Sequence, residues 1–83
     1  MTRRSKLISR ALRDPGGLRF AEGCALAKQL GFELVRTRGS HSIFKREGYD
    51  RLLNLQNVNG VAKAYQVRQI LDAARELGLI EKE

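Results

Sequence analysis

The amino-acid sequence predicts an α+β fold in which a three-stranded antiparallel sheet carries helices on one face. Three observations predict it. Segments with apolar residues every three or four positions flank a central block rich in strand-forming residues. That block is divided at Gly39-Ser40 and at 47–50, connections short enough to make an antiparallel meander the economical topology. Finally, 83 residues suffice for one domain and leave no room for a second.

Taken in order, residues 5–13 read as a short amphipathic helix with Leu7, Ile8, Ala11 and Leu12 on one side. Asp14-Pro15-Gly16-Gly17 stops it, because proline disfavours helix at the residue before it. A second helix is expected over 19–30, with Phe20, Cys24, Ala27 and Leu30 as its buried stripe. Gly31 suits the left-handed residue that closes a helix, and Phe32 follows as an apolar anchor.

Strands are expected over 32–38, 41–46 and 51–56, followed by a loop over 57–63 centred on Asn59-Gly60. The last helix, 64–77, has the clearest stripe: Val67, Ile70, Leu71, Ala74 and Leu77. Gly78 ends it, and Leu79-Ile80 should pack back ahead of a charged tail. The expected organisation is one domain over 1–83, with a helix and linker over 1–17 and a core over 19–78. Without the first helix the order is α-β-β-β-α, that of the double-stranded-RNA-binding domain. That fold recognises RNA mainly by shape, backbone and 2′-OH contacts.

The charge points the same way. Sixteen Lys and Arg against nine Asp and Glu give +7. Residues 1–46 carry +8 and residues 47–83 carry −1, so the excess lies in one half. A basic surface favours a polyanion, since neutralising phosphates releases their counterions. The single cysteine, Cys24, excludes an internal disulfide and reads as a small core residue. No apolar run approaches the ~18 residues of a membrane span. Arg3, Arg4 and Lys6 have no continuous apolar stretch behind them, so no secretory signal is expected and the expected compartment is the cytoplasm.

The one histidine, His41, opens the second strand just after a glycine turn, among Arg36, Arg38, Lys45 and Arg46. RNA cleavage by 2′-OH attack needs a group that moves protons near neutrality, which histidine supplies. It also needs cations that hold the phosphate and offset the charge of the transition state. Alternation places His41, Ile43 and Lys45 on one side of the strand and Ser42, Phe44 and Arg46 on the other. Whether His41 faces solvent depends on which of Ile43 and Phe44 faces the helices, and alternation alone allows both. Gly39 permits the turn that positions His41. Ser40 can bond locally or touch phosphate. Lys63, at the start of the last helix, can bind phosphate or simply be solvated. Tyr49 and Tyr65 are expected to pack partly into the core rather than stack on bases.

A helix ending Leu30-Gly31-Phe32, a basic strand, then Gly39-Ser40-His41 with Ile43-Phe44, resembles the HicA toxin family of messenger-RNA interferases. Gly60-Val61-Ala62-Lys63, leading into a helix with Gln69-Ile70-Leu71, continues the likeness, which covers residues 19–78. The resemblance implies a dsRBD-like fold and the toxin of a type II toxin–antitoxin system. It implies an endoribonuclease that cleaves messenger RNA without a metal or other cofactor, with His41 as the catalytic residue. Arg36, Arg38, Ser40, Lys45 and Lys63 would then be phosphate-binding candidates, and the partner would be a HicB-like antitoxin covering the active site. The sequence departs from the pattern in one place. Where many members end the third strand with a proline and a second histidine, this chain has Leu53-Asn54-Leu55-Gln56-Asn57. An RNA-binding module without catalysis is therefore the competing expectation.

Overall fold

The computed structural model describes residues 5–81; Arg3, Arg4 and the end of the charged tail at 82–83 lie outside the described residues. In chain order the elements are α1 (Lys6–Arg13), a turn of 3-10 helix (Pro15–Gly17), α2 (Phe20–Gln29) and β1 (Glu33–Arg38). Then come β2 (His41–Arg46), β3 (Tyr49–Val58), β4 (Val61–Ala62) and α3 (Ala64–Glu76). The sheet runs β1-β2-β3-β4, antiparallel throughout. The fold is α+β with the expected order, and the sheet has a short fourth strand where a loop was expected.

That fourth strand follows from the turn chemistry. Asn59 and Gly60 both have positive φ, +53° and +83°, as a two-residue type I′ hairpin requires. The turn folds Val61-Ala62 back onto Asn57-Val58. Asn57 Oδ1 accepts the Gly60 N–H at 2.6 Å. Beyond β4, the Leu18 carbonyl accepts from Ala62 N–H and Phe20 N–H donates to the Gly60 carbonyl, at 3.1 and 2.8 Å. This edge of the sheet is therefore covered by the chain entering α2.

The helices end as their glycines dictate. Gly31 (φ +88°) and Gly78 (φ +74°) take the left-handed conformation after α2 and α3. The next amides, of Phe32 and Leu79, reach back to the Ala27 and Ala74 carbonyls at 3.0 and 2.9 Å. Both apolar anchors then turn inward, Phe32 fully and Leu79 partly. Arg46 adds a second lock on α2, its Nε donating to the Leu30 carbonyl at 2.9 Å. Arg46 is thereby committed to a helix end.

One core joins the elements. Ile8 and Ala11 of α1, Leu26 and Ala27 of α2, Phe44, Leu53 and Leu55 of the sheet, and Val67, Ile70 and Leu71 of α3 are all buried in it. Full burial of a side chain such as Phe44 contributes about 1.5–3 kcal/mol. Of the stripe expected for α2, Ala27 and Leu30 are buried; Phe20 and Cys24 are only partly covered, and Gly23 and Leu26 complete the inward face. The cause is close packing at Gly23, where a Cβ would stand 3.1 Å from Ala62 Cβ and 3.4 Å from Leu55 Cδ1. Cys24 packs against the core as a small apolar group, and burial pushes its thiol above the ordinary value.

The first helix is integral to the packing. Ser5 caps α1 by accepting the Ile8 N–H at 3.0 Å, and its hydroxyl donates to Gln29 Oε1 at 2.6 Å. Arg10 pairs with Glu22 at 2.6 Å and donates to the Gly17 carbonyl at 3.1 Å. Glu22 also accepts the Arg19 N–H at 2.9 Å, satisfying a free donor at the start of α2. The Arg10 hydrogen bond, then the Arg19 amide, hold the Glu22 carboxyl at about 2 instead of the ordinary 4.5. Because this pKa is depressed by folding, the tie is fully present above 4.5 and is lost as pH falls towards 2. The protection of α1 amides, taken relative to their intrinsic exchange rate at each pH, should therefore fall over that interval, and Glu22→Gln should abolish this pH dependence. Unchanged protection in the wild type across the same interval would show that the ion pair does not hold α1.

Candidate active site

The orientation left open by alternation is decided by the sheet. Phe44 pairs with Leu53 and Ser42 with Leu55, and all four are buried beneath the helices. His41, Ile43 and Lys45 consequently face the opposite side, which no helix covers among the described residues. Arg38 is the cross-strand partner of His41, and Arg36 that of Ile43, so both arginines share the open face. The register shift between Leu34 and Arg36 makes this possible. In an unbulged pairing of the same sequence Val35 would oppose Ile43, and the arginines would point to the helical side.

The turn before His41 is a two-residue connection, Gly39-Ser40, with φ +56° at Gly39. Positive φ at the first turn position alone fits a type II′ hairpin, where glycine is the residue of choice. Ser40 is exposed, and its carbonyl accepts the Asn57 N–H at 2.8 Å, tying the turn to the end of β3. Its main-chain role is thus structural, and its hydroxyl has no protein partner among the described residues.

His41 is half-buried, and its Nδ1 lies 3.3 Å from Asn54 Oδ1 and 3.1 Å from Asn54 Nδ2. Asn54 opposes Ile43 on β3, which places it diagonally from His41 on the same face. The amide can accept from Nδ1–H or, turned over, donate to a bare Nδ1. In the first arrangement Nε2 is the free base, and the same bond survives protonation of the ring. Sequence reasoning did not single out Asn54. The available signal was alternation within Leu53-Asn54-Leu55, which sends the one polar residue away from the core.

Replacing Asn54 with alanine removes one hydrogen bond, worth roughly 0.5–1.5 kcal/mol. Under the catalytic role proposed for His41 below, that loss corresponds to a fall of about two- to tenfold in cleavage with RNA affinity almost unchanged, read in parallel cleavage and binding assays. Full activity in Asn54→Ala would show that the ring is held by its strand alone.

Among the described residues, Arg36, Arg38 and Lys45 form no ion pair within the protein; the salt bridges are Arg10–Glu22, Arg51–Glu76 and Arg75–Asp72. Three cations therefore share the face that carries His41, Arg38 directly across from it, Arg36 across from Ile43, and Lys45 four residues along β2, opposite Glu33. Lys63 is placed differently. It precedes α3, and its Nζ lies over the Tyr65 ring, 5.8 Å from the centroid, with no contact joining it to His41. Gln66, in the first turn of α3, links that helix to the sheet: its buried Oε1 accepts the Gln56 N–H at 2.6 Å, directly across from His41. Tyr49 packs edge-on against Phe32 at 5.8 Å, as a part-core residue should. Tyr65, against expectation, is 51 % exposed.

The sheet face is thus basic and uncovered, and bears a histidine held just after a Gly-Ser turn. The model describing the HicA toxin of bacterial toxin–antitoxin systems matches residues 20–79. The chain belongs to the HicA toxin family. The match spans α2, the whole sheet and α3, and includes the Gly39-Ser40-His41 turn. In this HicA chain α1 precedes the matched region while contributing Ile8 and Ala11 to the common core. No curated protein and no solved structure gives a significant match. No helix among the described residues is long and apolar enough to cross a membrane.

Proposed function

We propose that this HicA-family chain is an endoribonuclease toxin that cleaves messenger RNA without a metal, with His41 as its catalytic residue. The observation that carries the reading is the shared open face of His41, Arg38, Arg36 and Lys45, with Arg38 directly across from the histidine. In the reaction, His41 Nε2 takes the proton of a ribose 2′-OH while the 2′ oxygen attacks the adjacent phosphorus. The bond from phosphorus to the 5′ oxygen breaks, and the leaving oxygen takes a proton from the imidazolium or from water. A 2′,3′-cyclic phosphate and a 5′-OH result.

Arg38 and Arg36 hold the phosphate oxygens, and Lys45 extends the positive track along β2. Asn54 holds the ring through Nδ1, and with its amide oxygen accepting from Nδ1–H the base is Nε2; the acid/base work of a second histidine falls to water or to His41 itself. Lys63 and the Ser40 hydroxyl bind flanking phosphates, at the edge of this group and outside its centre. A HicB-like antitoxin in the cytoplasm is the partner that covers the face.

The deciding experiment incubates the protein with a long single-stranded messenger RNA in the presence of EDTA and maps fragment ends. Fragments ending in 2′,3′-cyclic phosphate support the reading. RNA binding without fragments, at any concentration tested, would leave a non-catalytic double-stranded-RNA-binding module in its place.

A further inference from the structure

The two edges of the sheet are not alike. The β4 edge is closed by Leu18–Phe20, whereas no backbone or side-chain hydrogen bond among the described residues reaches β1 from outside the sheet. All six residues of β1 are exposed. The helical layer also stops short of it. Leu34 is in register with Phe44, which in turn pairs with Leu53; these two are 0 % and 5 % exposed, yet Leu34 is 47 % exposed. The sheet overhangs its helices by one strand, leaving an apolar side chain bare underneath and Arg36 and Arg38 bare above.

Exposed edges of this kind are ordinarily blunted, because unpaired N–H and C=O groups recruit another strand. On β1 the blunting devices are the one-residue bulge at Val35, which also turns the arginines upward, and the charges of Glu33, Arg36 and Arg38, which select an oppositely charged strand more than they exclude every strand.

We propose that β1 is a docking edge at which an extended, acidic segment of a protein partner adds a fifth strand. The inference rests on the toxin–antitoxin reading and specifies how the antitoxin is held. Charge and face together define the segment. Side chains on neighbouring strands share a face, with Cβ atoms about 4.5–5.5 Å apart. The incoming strand therefore carries Asp or Glu at alternate positions beside Arg36 and Arg38, and an apolar residue on the other face beside Leu34. Main-chain hydrogen bonds supply affinity and the alternating side chains supply selectivity. Such a strand occupies the two arginines assigned to phosphate, so it excludes RNA by charge as well as by bulk. A second copy of this chain is disfavoured at the edge, since it brings +7 against +7.

The test uses the whole toxin and the purified antitoxin encoded with it, followed by amide hydrogen exchange and binding titration. Exchange at 33–38 should slow at least tenfold in the complex. Leu34→Asp, half-exposed and outside the proposed catalytic group, should weaken antitoxin binding tenfold or more with RNA cleavage intact. Binding at full strength by Leu34→Asp, with β1 amides unprotected, would overturn the proposal while leaving the antitoxin reading standing. No binding of the antitoxin by the wild type would overturn both. Protection of β1 by raising the toxin concentration alone would assign the edge to a second copy and overturn it as well.

Discussion

His41→Ala should lower RNA cleavage by about 10²- to 10⁴-fold, the usual contribution of one general acid–base group, while leaving the fold and most RNA affinity in place. The expectation of an intact fold is structural. His41 faces away from the core, whose neighbouring positions on β2 are Ser42 and Phe44, and its truncation leaves Asn54 on an open face where water can replace the lost bond. The expectation of retained affinity follows from the cations: Arg36, Arg38 and Lys45 are all still present. Circular dichroism would verify the fold, a filter or fluorescence titration the affinity, and end-mapped fragments the rate. Cleavage by the variant at the wild-type rate would remove His41 from the chemistry and point to another site or a contaminant. His41→Gln sharpens the result, because glutamine keeps a polar group near Asn54 and cannot shuttle a proton. It should be as inactive as the alanine variant.

Much of this arrangement was legible in the sequence because local rules and global packing agree. The stripe of α3, the glycines that end α2 and α3, and the two-residue turn before His41 each need only nearby residues to specify them. What stayed ambiguous needed a partner far along the chain. Ile43 and Phe44 are adjacent and equally apolar, so alternation offers two orientations of β2. The choice is made by Leu53 and Leu55, which cross-pair with Phe44 and Ser42. In α2 the sequence places Ala27 and Leu30 correctly but not Phe20 and Cys24, for a related reason. Its residues Phe20, Ala21, Cys24, Ala25, Leu26 and Ala27 are apolar nearly all round, and close approach at Gly23 to Ala62 chooses the buried side.

At β1 the apolar character of Leu34 and Val35 fits a strand and gives no sign of their exposure. Their exposure reflects the width of the helical layer, a property of three helices together and of no single segment. Asn59-Gly60 was recognised as a turn, but Val61-Ala62 is too short to register as a strand without its pairing to β3. The site divides in the same way. His41 and its arginines are visible in one stretch of sequence. Asn54, 13 residues away, belongs to the site only through the register of β2 on β3.

Neutralising the open face should produce the second large effect. In Arg36→Ala/Arg38→Ala/Lys45→Ala, the slope of log affinity against log salt should become shallower by about 2, because each cation lost releases about 0.7 fewer counterions from single-stranded RNA. Carried to about 50 mM salt, that slope corresponds to a loss of affinity on the order of 10²-fold. None of the three side chains forms an ion pair within the protein among the described residues, so stability should change by no more than about 0.5 kcal/mol. Arg46 provides the internal control. It lies next to Lys45 in sequence and carries the same charge, but its Nε is bound to the Leu30 carbonyl at the end of α2. Arg46→Ala should therefore destabilise the protein while leaving the salt slope within about half a unit of wild type, below the ~0.7 expected of one phosphate contact. If Arg46→Ala flattened the slope as much as the triple variant, the phosphate track would not follow the face that carries His41. If the triple variant kept the wild-type slope, the excess charge of residues 1–46 would act through other residues, and His41 would lack the cations that its proposed chemistry requires.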